Sequence, residues 1–417
     1  MTDKKQDDYS PDAPPEEPSQ GVKDKPREEP LHPGWLPLTK VPNFTDPVFE
    51  KINFLLSYEY SSNIYLLQND YLTIVDPGND YTAYIHLFEQ GFNPADLKRI
   101  VLTHGHRDHC MGTFELLRYS AFKENPALEI FLHKDGPGEM KQMLGEMGCR
   151  YSEVQGGEIL NLSGLEWEVI YTPGHSIDGI TLYHAPSKTA ITGDTVMPYA
   201  APEVDKKTGG QLSHFLFAVR ALLKKDIKHI LPGHGVPVAG LGRTVIEQTY
   251  EGLMLQVLGV DPDSKVPWTS GAEALASQGL LEEAVFCWDK VLAADPENMR
   301  ALQVKAMCLV DLGNGEEAIE VLDTILAREG QDAFALTVKG NALLGMAKYE
   351  ESLEYFDRAL KIAPQIQEAQ VYKGMALYLL GRYDEAMDID IFRQEFSSHL
   401  KTELEKLAQD KGAEITS

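Results

Sequence analysis

Four leucines set 34 residues apart, Leu275, Leu309, Leu343 and Leu377, constrain the last third of this chain more than any other feature. Ala272, Ala306, Gly340 and Gly374 keep the same spacing, as do Gly279, Gly313, Ala347 and Gly381. So do the triplets that begin at Glu282, Glu316, Glu350 and Asp384. Small residues let paired helices approach closely, and the leucines fill the space between neighbouring pairs. Such a period predicts helical hairpins that each bury an apolar face against the next, over residues 265–412. About 3.5 units fit there, because the pattern weakens after Ala386.

Ahead of the repeats the pattern alternates between strand and helix. Apolar runs predict strands at 63–68, 71–76, 99–104, 129–134, 167–172, 180–185 and 229–231. Three- and four-residue spacing predicts helices at 82–90 and 212–225. An α/β domain is therefore expected over 34–238, joined to the repeats by a helical bridge and linker at 239–264. Residues 1–33 are rich in Pro, Asp, Glu and Lys and poor in large apolar groups, which predicts a disordered tail; 413–417 form a second short tail.

A net charge of −26 argues against nucleic acid or an anionic membrane surface as a partner, since both call for basic patches. No apolar run approaches the roughly 18 residues a membrane span needs. The first residues lack the apolar core of a secretory signal. Cys110, Cys149, Cys287 and Cys308 form no CxxC pair, so no disulfide framework is expected and the cytoplasm is the expected compartment.

The chemistry concentrates in THGHRDHC, residues 103–110. Imidazole and carboxylate are the usual ligands of zinc and other divalent first-row metals. In extended backbone His104, His106 and Asp108 would share one side and Arg107 would point away. Three later loops each add a candidate beside a predicted strand: His175 in TPGHS, Asp194 in TGDT and His234 in PGHG. Cys110 is expected to be a small buried residue at a helix start, and Tyr199 to pack as an aromatic. His86, His133, His184, His214 and His229 lack partner spacing and are expected to be structural or surface residues; His32 falls in the tail and His399 beyond the clear repeats.

Together with Asp76 in IVDPG, these motifs resemble the metallo-β-lactamase superfamily, over roughly residues 36–238. The resemblance implies an α/β four-layer αββα sandwich with a binuclear site along one edge. His104, His106 and His175 would hold one ion, Asp108, His109 and His234 the other, and Asp194 would bridge them. Asp76 would orient the ligand imidazoles by accepting their N–H groups. A hydroxide shared by two divalent ions, zinc in the first instance with iron as the alternative, would attack the substrate. Asp108 would also guide or receive a proton. The spacing of TPGHSIDGITLY, TGDT and PGHG looks most like the glyoxalase II-like branch, which implies a small thioester, ester or lactone. The basic C-terminal segment that holds glutathione in that branch is missing or replaced here. An iron-dependent persulfide dioxygenase using His104, His175 and Asp194 shares the motif set and is the second enzymatic reading. RNA processing, a third chemistry of the superfamily, finds no basic insertion to support it. A non-catalytic repeat scaffold is the remaining reading, and it gives no reason to fill seven ligand positions.

The 34-residue period resembles tetratricopeptide repeats, with Trp268, Trp288, Pro296, Tyr349, Phe356, Ala359 and Pro364 fitting that family and Gly330 standing where a proline is expected. The resemblance implies an all-α solenoid with a protein partner or self-association. In the family register the concave face would carry Arg300, Gln303, Met307, Phe334, Thr337, Asn341, Val371, Met375 and Tyr378. That mixture suits a hydrophobic peptide or a second copy of the chain; alternatively the repeats only cover and stabilise the hydrolase.

Overall fold

The computed structural model describes residues 34–57, 60–79, 85, 91–118, 125–260 and 266–398. The expected tails, most of the expected helix at 82–90, part of the linker at 261–265, and His32, His86 and His399 lie outside them. Two compact units divide between Leu253 and Met254, inside a single helix.

The first unit holds two mixed sheets. Seven strands form one in chain order: β1 (Leu36–Pro37), β2 (Ile52–Leu55), β3 (Ile64–Gln68), β4 (Leu72–Val75), β5 (Leu97–Val101), β6 (Glu129–His133) and β7 (Tyr151–Val154). From β4 onward the pairing is parallel. β8 (Ile159–Leu162), β9 (Leu165–Tyr171), β10 (Ile180–His184), β11 (Thr189–Gly193) and β12 (His229–Pro232) form the other, in the order β12-β11-β10-β9-β8.

Period-two alternation sorts the side chains between layers. Tyr65, Leu67, Val75 and Val101 face inward and meet Trp167, Val169, Leu182, Ile191 and Leu231 of the second sheet. Ile64, Leu66, Ile74 and Ile100 point outward against Phe114 and Leu117 of α1 (Arg107–Leu117) and Met140 and Leu144 of α2 (Gly138–Glu146). Thr181, Tyr183, Ala190 and Ile230, on the far face of the second sheet, are also buried. α3 (Leu212–Leu223) buries Phe215, Ala218, Val219 and Leu222. Just after α3, Lys225 reaches Glu168 of β9 at 2.7 Å and the Asp226 carbonyl accepts from Tyr183 of β10 at 3.0 Å. Helix, sheet, sheet and helix therefore follow one another, the expected four-layer order.

The strand directions place the chemistry. β4 and β5 run parallel, and so do β11 and β12. β9 and β11 both run antiparallel to β10, hence in the same direction as each other. The C-terminal ends within each sheet thus lie together. Backbone bonds from Ile180 N to Thr103 O (2.8 Å) and from Asn63 N to Gly233 O (2.6 Å) join the two sheets at that edge.

α4 (Gly242–Leu258) carries the chain across the division. The second unit is helical hairpins: α5 (Trp268–Ser277), α6 (Leu281–Ala294), α7 (Met299–Asp311), α8 (Gly315–Glu329), α9 (Ala333–Gly345), α10 (Tyr349–Ile362), α11 (Gln367–Leu379) and α12 (Tyr383–Met387). This is the expected solenoid, and the period has a steric cause. A Cβ on Gly340 would stand 2.5 Å from the Phe356 ring, so only glycine lets α9 approach α10 this closely. A charge pair repeats with the same period: Lys305 meets Asp289 at 2.7 Å, Lys373 meets Asp357 at 2.6 Å, and Lys339 pairs with Asp323 between them.

A cavity of about 340 Å3 opens among α7, α9 and α11. Of the expected groove residues it is lined by Met307, Phe334, Thr337 and Asn341, together with Val310, Asp311, Ile366, Glu368 and Tyr372. Met375 is exposed, and Arg300 lies 3.8 Å from Glu273. Tyr378 instead joins an aromatic group with Tyr383 and Phe396, at ring-centre distances of 4.9 Å.

Candidate metal centre

The candidate ligands follow strands, except Asp108 and His109, which stand in the first turn of α1. Asp76 follows β4; His104 and His106 follow β5; His175 follows β9, Asp194 β11 and His234 β12. The extended backbone after β5 ends at His106 (φ −67°, ψ 145°), and helix α1 begins at Arg107. Alternation therefore stops there. His104 and His106 converge as expected, but Asp108 turns away from them with the helix. The ligand atoms of His104, His106, His175 and Asp194 lie within 4.8 Å of one another; those of Asp108, His109 and His234 form a second such group. Arg107 was expected to point away, and the same helical turn puts it on the wall of a cavity instead.

The outer hydrogen bonds fix the imidazole tautomers. His106 Nε2 lies 3.0 Å from Asp205 Oδ2; a carboxylate only accepts, so Nε2 carries the proton and Nδ1 a lone pair. His175 Nδ1 donates to the Glu203 carbonyl at 2.9 Å, which leaves the lone pair on Nε2. Thr103 Oγ1 donates to Asp76 Oδ2 at 2.6 Å and so accepts from His104 Nδ1 at 3.1 Å. His104 Nε2 is thereby a lone pair as well. Both His104 Nε2 and His175 Nε2 lie 3.0 Å from His106 Nδ1. Three acceptors so close repel one another unless a cation draws them in.

The second group repeats the pattern. His109 Nδ1 donates to Asp76 Oδ2 at 2.8 Å, and its Nε2 turns inward. That Nε2 and Asp194 Oδ1, 3.3 Å apart, are both buried without a hydrogen-bond partner. Asp194 Oδ2 lies 3.6 Å from His175 Nε2 and 3.7 Å from His234 Nε2. His234 Nε2 is 3.1 Å from Asp108 Oδ2. Ligand atoms about 2.0–2.1 Å from a tetrahedral ion stand roughly 3.3 Å apart, so the spacing fits divalent metals with nitrogen and oxygen donors.

Charge and burial agree with that fit. Burial works against ionising Asp194, yet His109, His104 and His234 hold its carboxyl far below the usual carboxylate range. Burial and then His109 push His104 well below an ordinary histidine. For His109 burial is outweighed by Asp194 and Asp76, which raise it strongly. Asp108 resists its burial through His234 and His109 and is held low. Burial pushes the Cys110 thiol up to about 12, as befits a packed residue and not a nucleophile.

The frame around the ligands is specific. A Cβ on Gly233 would sit 2.1 Å from Asp194 Oδ1, so glycine is required where the β12 loop passes the carboxylate. Asp76 adopts φ 52°, uncommon for a residue with a side chain, and its Oδ1 accepts the Thr103 N–H at 2.7 Å. Asn63 donates to the carbonyls of Pro232 (2.9 Å) and Gly235 (2.7 Å), and Tyr65 donates to Pro232 O (2.7 Å), pinning the loop of His234. Thr103, Asp205, Asn63 and the Glu203 carbonyl escaped sequence reasoning. The one local signal was Thr103 itself, inside the quoted cluster. A cavity of about 590 Å3 adjoins the second group, lined by Tyr60, Asn79, Arg107, Asp108, Met111 and His234.

The remaining histidines sit apart. His133 is buried and stacks on Tyr171 at 4.3 Å, His184 lies 2.7 Å from Ser187 Oγ, and His229 packs beside Phe44 and Phe49. His214 is half-buried on α3. Tyr199, expected to pack, is fully exposed, at a backbone position with φ 62° that carries it away from the core.

Residues 58–234 match the family model of the metallo-beta-lactamase superfamily. Residues 337–390 match a tetratricopeptide repeat model, and residues 277–359 match one described as anaphase-promoting complex, cyclosome, subunit 3. A protein of Methanocaldococcus jannaschii named as a probable metallo-hydrolase is 29% identical over 196 residues, which is 43% of this chain and 91% of that protein. A hydroxyacylglutathione hydrolase of Haemophilus influenzae is 27% identical over 176 residues, 39% of this chain and 79% of that protein. The crystal structure of a metallo-beta-lactamase family protein from Thermus thermophilus aligns with a TM-score of 0.38 and 20% identity, covering 54% of this chain and 87% of that one.

Proposed function

Because the chain carries a metallo-beta-lactamase superfamily domain followed by tetratricopeptide repeats, we propose that it hydrolyses a small thioester, ester or lactone at a pair of divalent ions. That it is a metal-dependent hydrolase rests on the superfamily match, the metallo-hydrolase relatives and the His/Asp cluster. The thioester reading draws on the hydroxyacylglutathione hydrolase among its relatives. One observation carries the binuclear reading: outer partners turn one nitrogen of each of four imidazoles inward, beside the buried Asp194 Oδ1, which lacks a donor.

His104, His106 and His175 would hold one ion and Asp108, His109 and His234 the other. Asp194 would bridge them, since Oδ1 faces His109 and Oδ2 faces His175 and His234. Bound divalent ions, zinc first by the donor set, supply a nucleophile at neutral pH and a Lewis acid for the attacked carbonyl. The protein's own residues do the rest. Asp76, Asp205 and the Glu203 carbonyl hold the imidazoles aimed, so no ring must turn when an ion enters. Asp108, ionised at the cavity wall, orients the proton of the attacking water. The cavity of about 590 Å3 has the size of a small-molecule site.

The repeats would hold a protein partner or a second copy of the chain. Among the described residues no helix is long and apolar enough to cross a membrane. Cys110, Cys149, Cys287 and Cys308, none in a disulfide among the described residues, suit the reducing cytoplasm we assign to it.

Purified protein of measured metal content, assayed on thioesters, lactones, phosphodiesters and persulfides, tests the reading. Thioester or lactone hydrolysis that Asp194→Ala abolishes is expected. Oxygen uptake on a persulfide would replace it with iron-dependent dioxygenation.

A further inference from the structure

Arg107 opens α1 and lines the cavity beside Asp108 and His234. Among the described residues it makes no hydrogen bond, ion pair or ring contact. Arg99, Arg150, Arg243, Arg328 and Arg382, by contrast, each engage a carboxylate. The contrast matters in a chain with 64 acidic and 38 basic residues, where an arginine finds a carboxylate easily. Asp108, the acid closest in sequence, is directed to His234 at 3.1 Å and leaves Arg107 without a counter-ion among the described residues. The same wall is the first turn of an 11-residue helix, whose N-terminal N–H groups add positive potential. Asn79 brings an amide donor to the lining.

Resting on the hydrolase reading above, we propose that Arg107 makes the enzyme selective for substrates with an anionic group, a carboxylate or a phosphate, on the portion that occupies this cavity. The guanidinium presents a planar fork of N–H donors that matches either oxyanion with two parallel bonds. Beyond Asn79 and the ligand candidates Asp108 and His234, which pair with each other, the lining offers one flexible apolar side chain, Met111, and one exposed aromatic, Tyr60. Those can receive an acyl chain but cannot discriminate among them by charge. Arg107 is in this sense a specificity-determining residue. It would hold the end of the substrate remote from the bond that is cleaved.

Three thioesters of N-acetylcysteamine with similar acyl length test this: succinyl, 3-phosphonopropionyl and butyryl. Wild-type full-length protein is expected to show a higher kcat/KM for the anionic pair than for butyryl, mainly through KM. In Arg107→Ala the anionic-to-neutral ratio is expected to fall about 10- to 100-fold, the loss of a hydrogen bond to a charged group, with Arg107→Lys between the two. A carboxylate substrate is indicated if succinyl leads, and a phosphate substrate if phosphonopropionyl leads. Equal kcat/KM for all three in wild type, or the same ratio in Arg107→Ala, would overturn the assignment.

Calorimetric titration with succinate supplies a readout that does not depend on turnover. Wild type is expected to bind it, and Arg107→Ala to bind it at least about tenfold more weakly. If no thioester is cleaved, the thioester part of the hydrolase reading falls by itself. The titration then still decides the anion site: succinate bound equally by both proteins removes it, and binding lost in the variant retains it.

Discussion

The α/β unit and the repeat unit use buried polar groups in opposite ways. In the first, Asp76, Thr103, His104, His109, His175 and Asp194 are buried together at one sheet edge. Among the described repeat residues only Glu283, Thr337, Lys339 and Ser352 are buried polar groups, and they are spread along the stack. A cluster of charges removed from water is expensive, and a fold that assembles one needs something to balance it. A periodic apolar stack needs nothing of the kind. The first unit is organised around a buried His/Asp cluster that could hold metal, the second around repetition.

The largest effect that could break this contrast comes from Asp194→Ala. It is expected to cost far more than the ~10- to 100-fold typical of losing an outer partner, and to lower the bound metal while the far-ultraviolet circular dichroism stays unchanged. Activity and metal content that survive would remove the carboxylate from the centre. Next comes Phe356→Ala, which empties a fully buried site in the repeats and is expected to cost about 3–5 kcal/mol. Denaturant unfolding should show the loss in the helical transition, with metal content unaltered; a matching fall in metal would join the two units energetically. Asp76→Asn keeps the shape but loses the charge that both Thr103 and His109 donate to. It is expected to weaken metal binding or turnover ~10- to 100-fold, measured by competition with a chelator. The smallest effect belongs to Lys339→Met, which replaces a repeat-spanning charge pair by an apolar group. Stability is expected to move by about 1 kcal/mol or less, because desolvating such a pair offsets most of its attraction. A large loss there would give the repeats a charge-dependent register after all.

How much of each region is legible in the sequence follows the same division. The leucines at 275, 309, 343 and 377 fix the solenoid because each unit packs on its sequence neighbours. Strands β3 to β6, β9, β10 and β12 are visible as apolar runs. The two-residue β1 and the more exposed β8, with burial alternating weakly, gave no comparable pattern. His104 and His106 lie close in the chain and were readable from spacing. Asp205 meets His106 across 99 residues and Asn63 meets Pro232 across 169, and no local period reports such pairs. Extended alternation ends at His106, where a helix starts, so spacing alone does not place Arg107 on the cavity wall. The charge ladder of Lys305, Lys339 and Lys373 has the repeat period and could have been found by aligning the units on it.

Elemental analysis of zinc-reconstituted full-length protein, wild type beside His234→Ala and His104→Ala, reaches the central claim most directly. Close to two ions per chain are expected in wild type and about one in each variant. A wild-type chain that binds no divalent ion, or variants that keep its full complement, would contradict a centre built from these seven side chains.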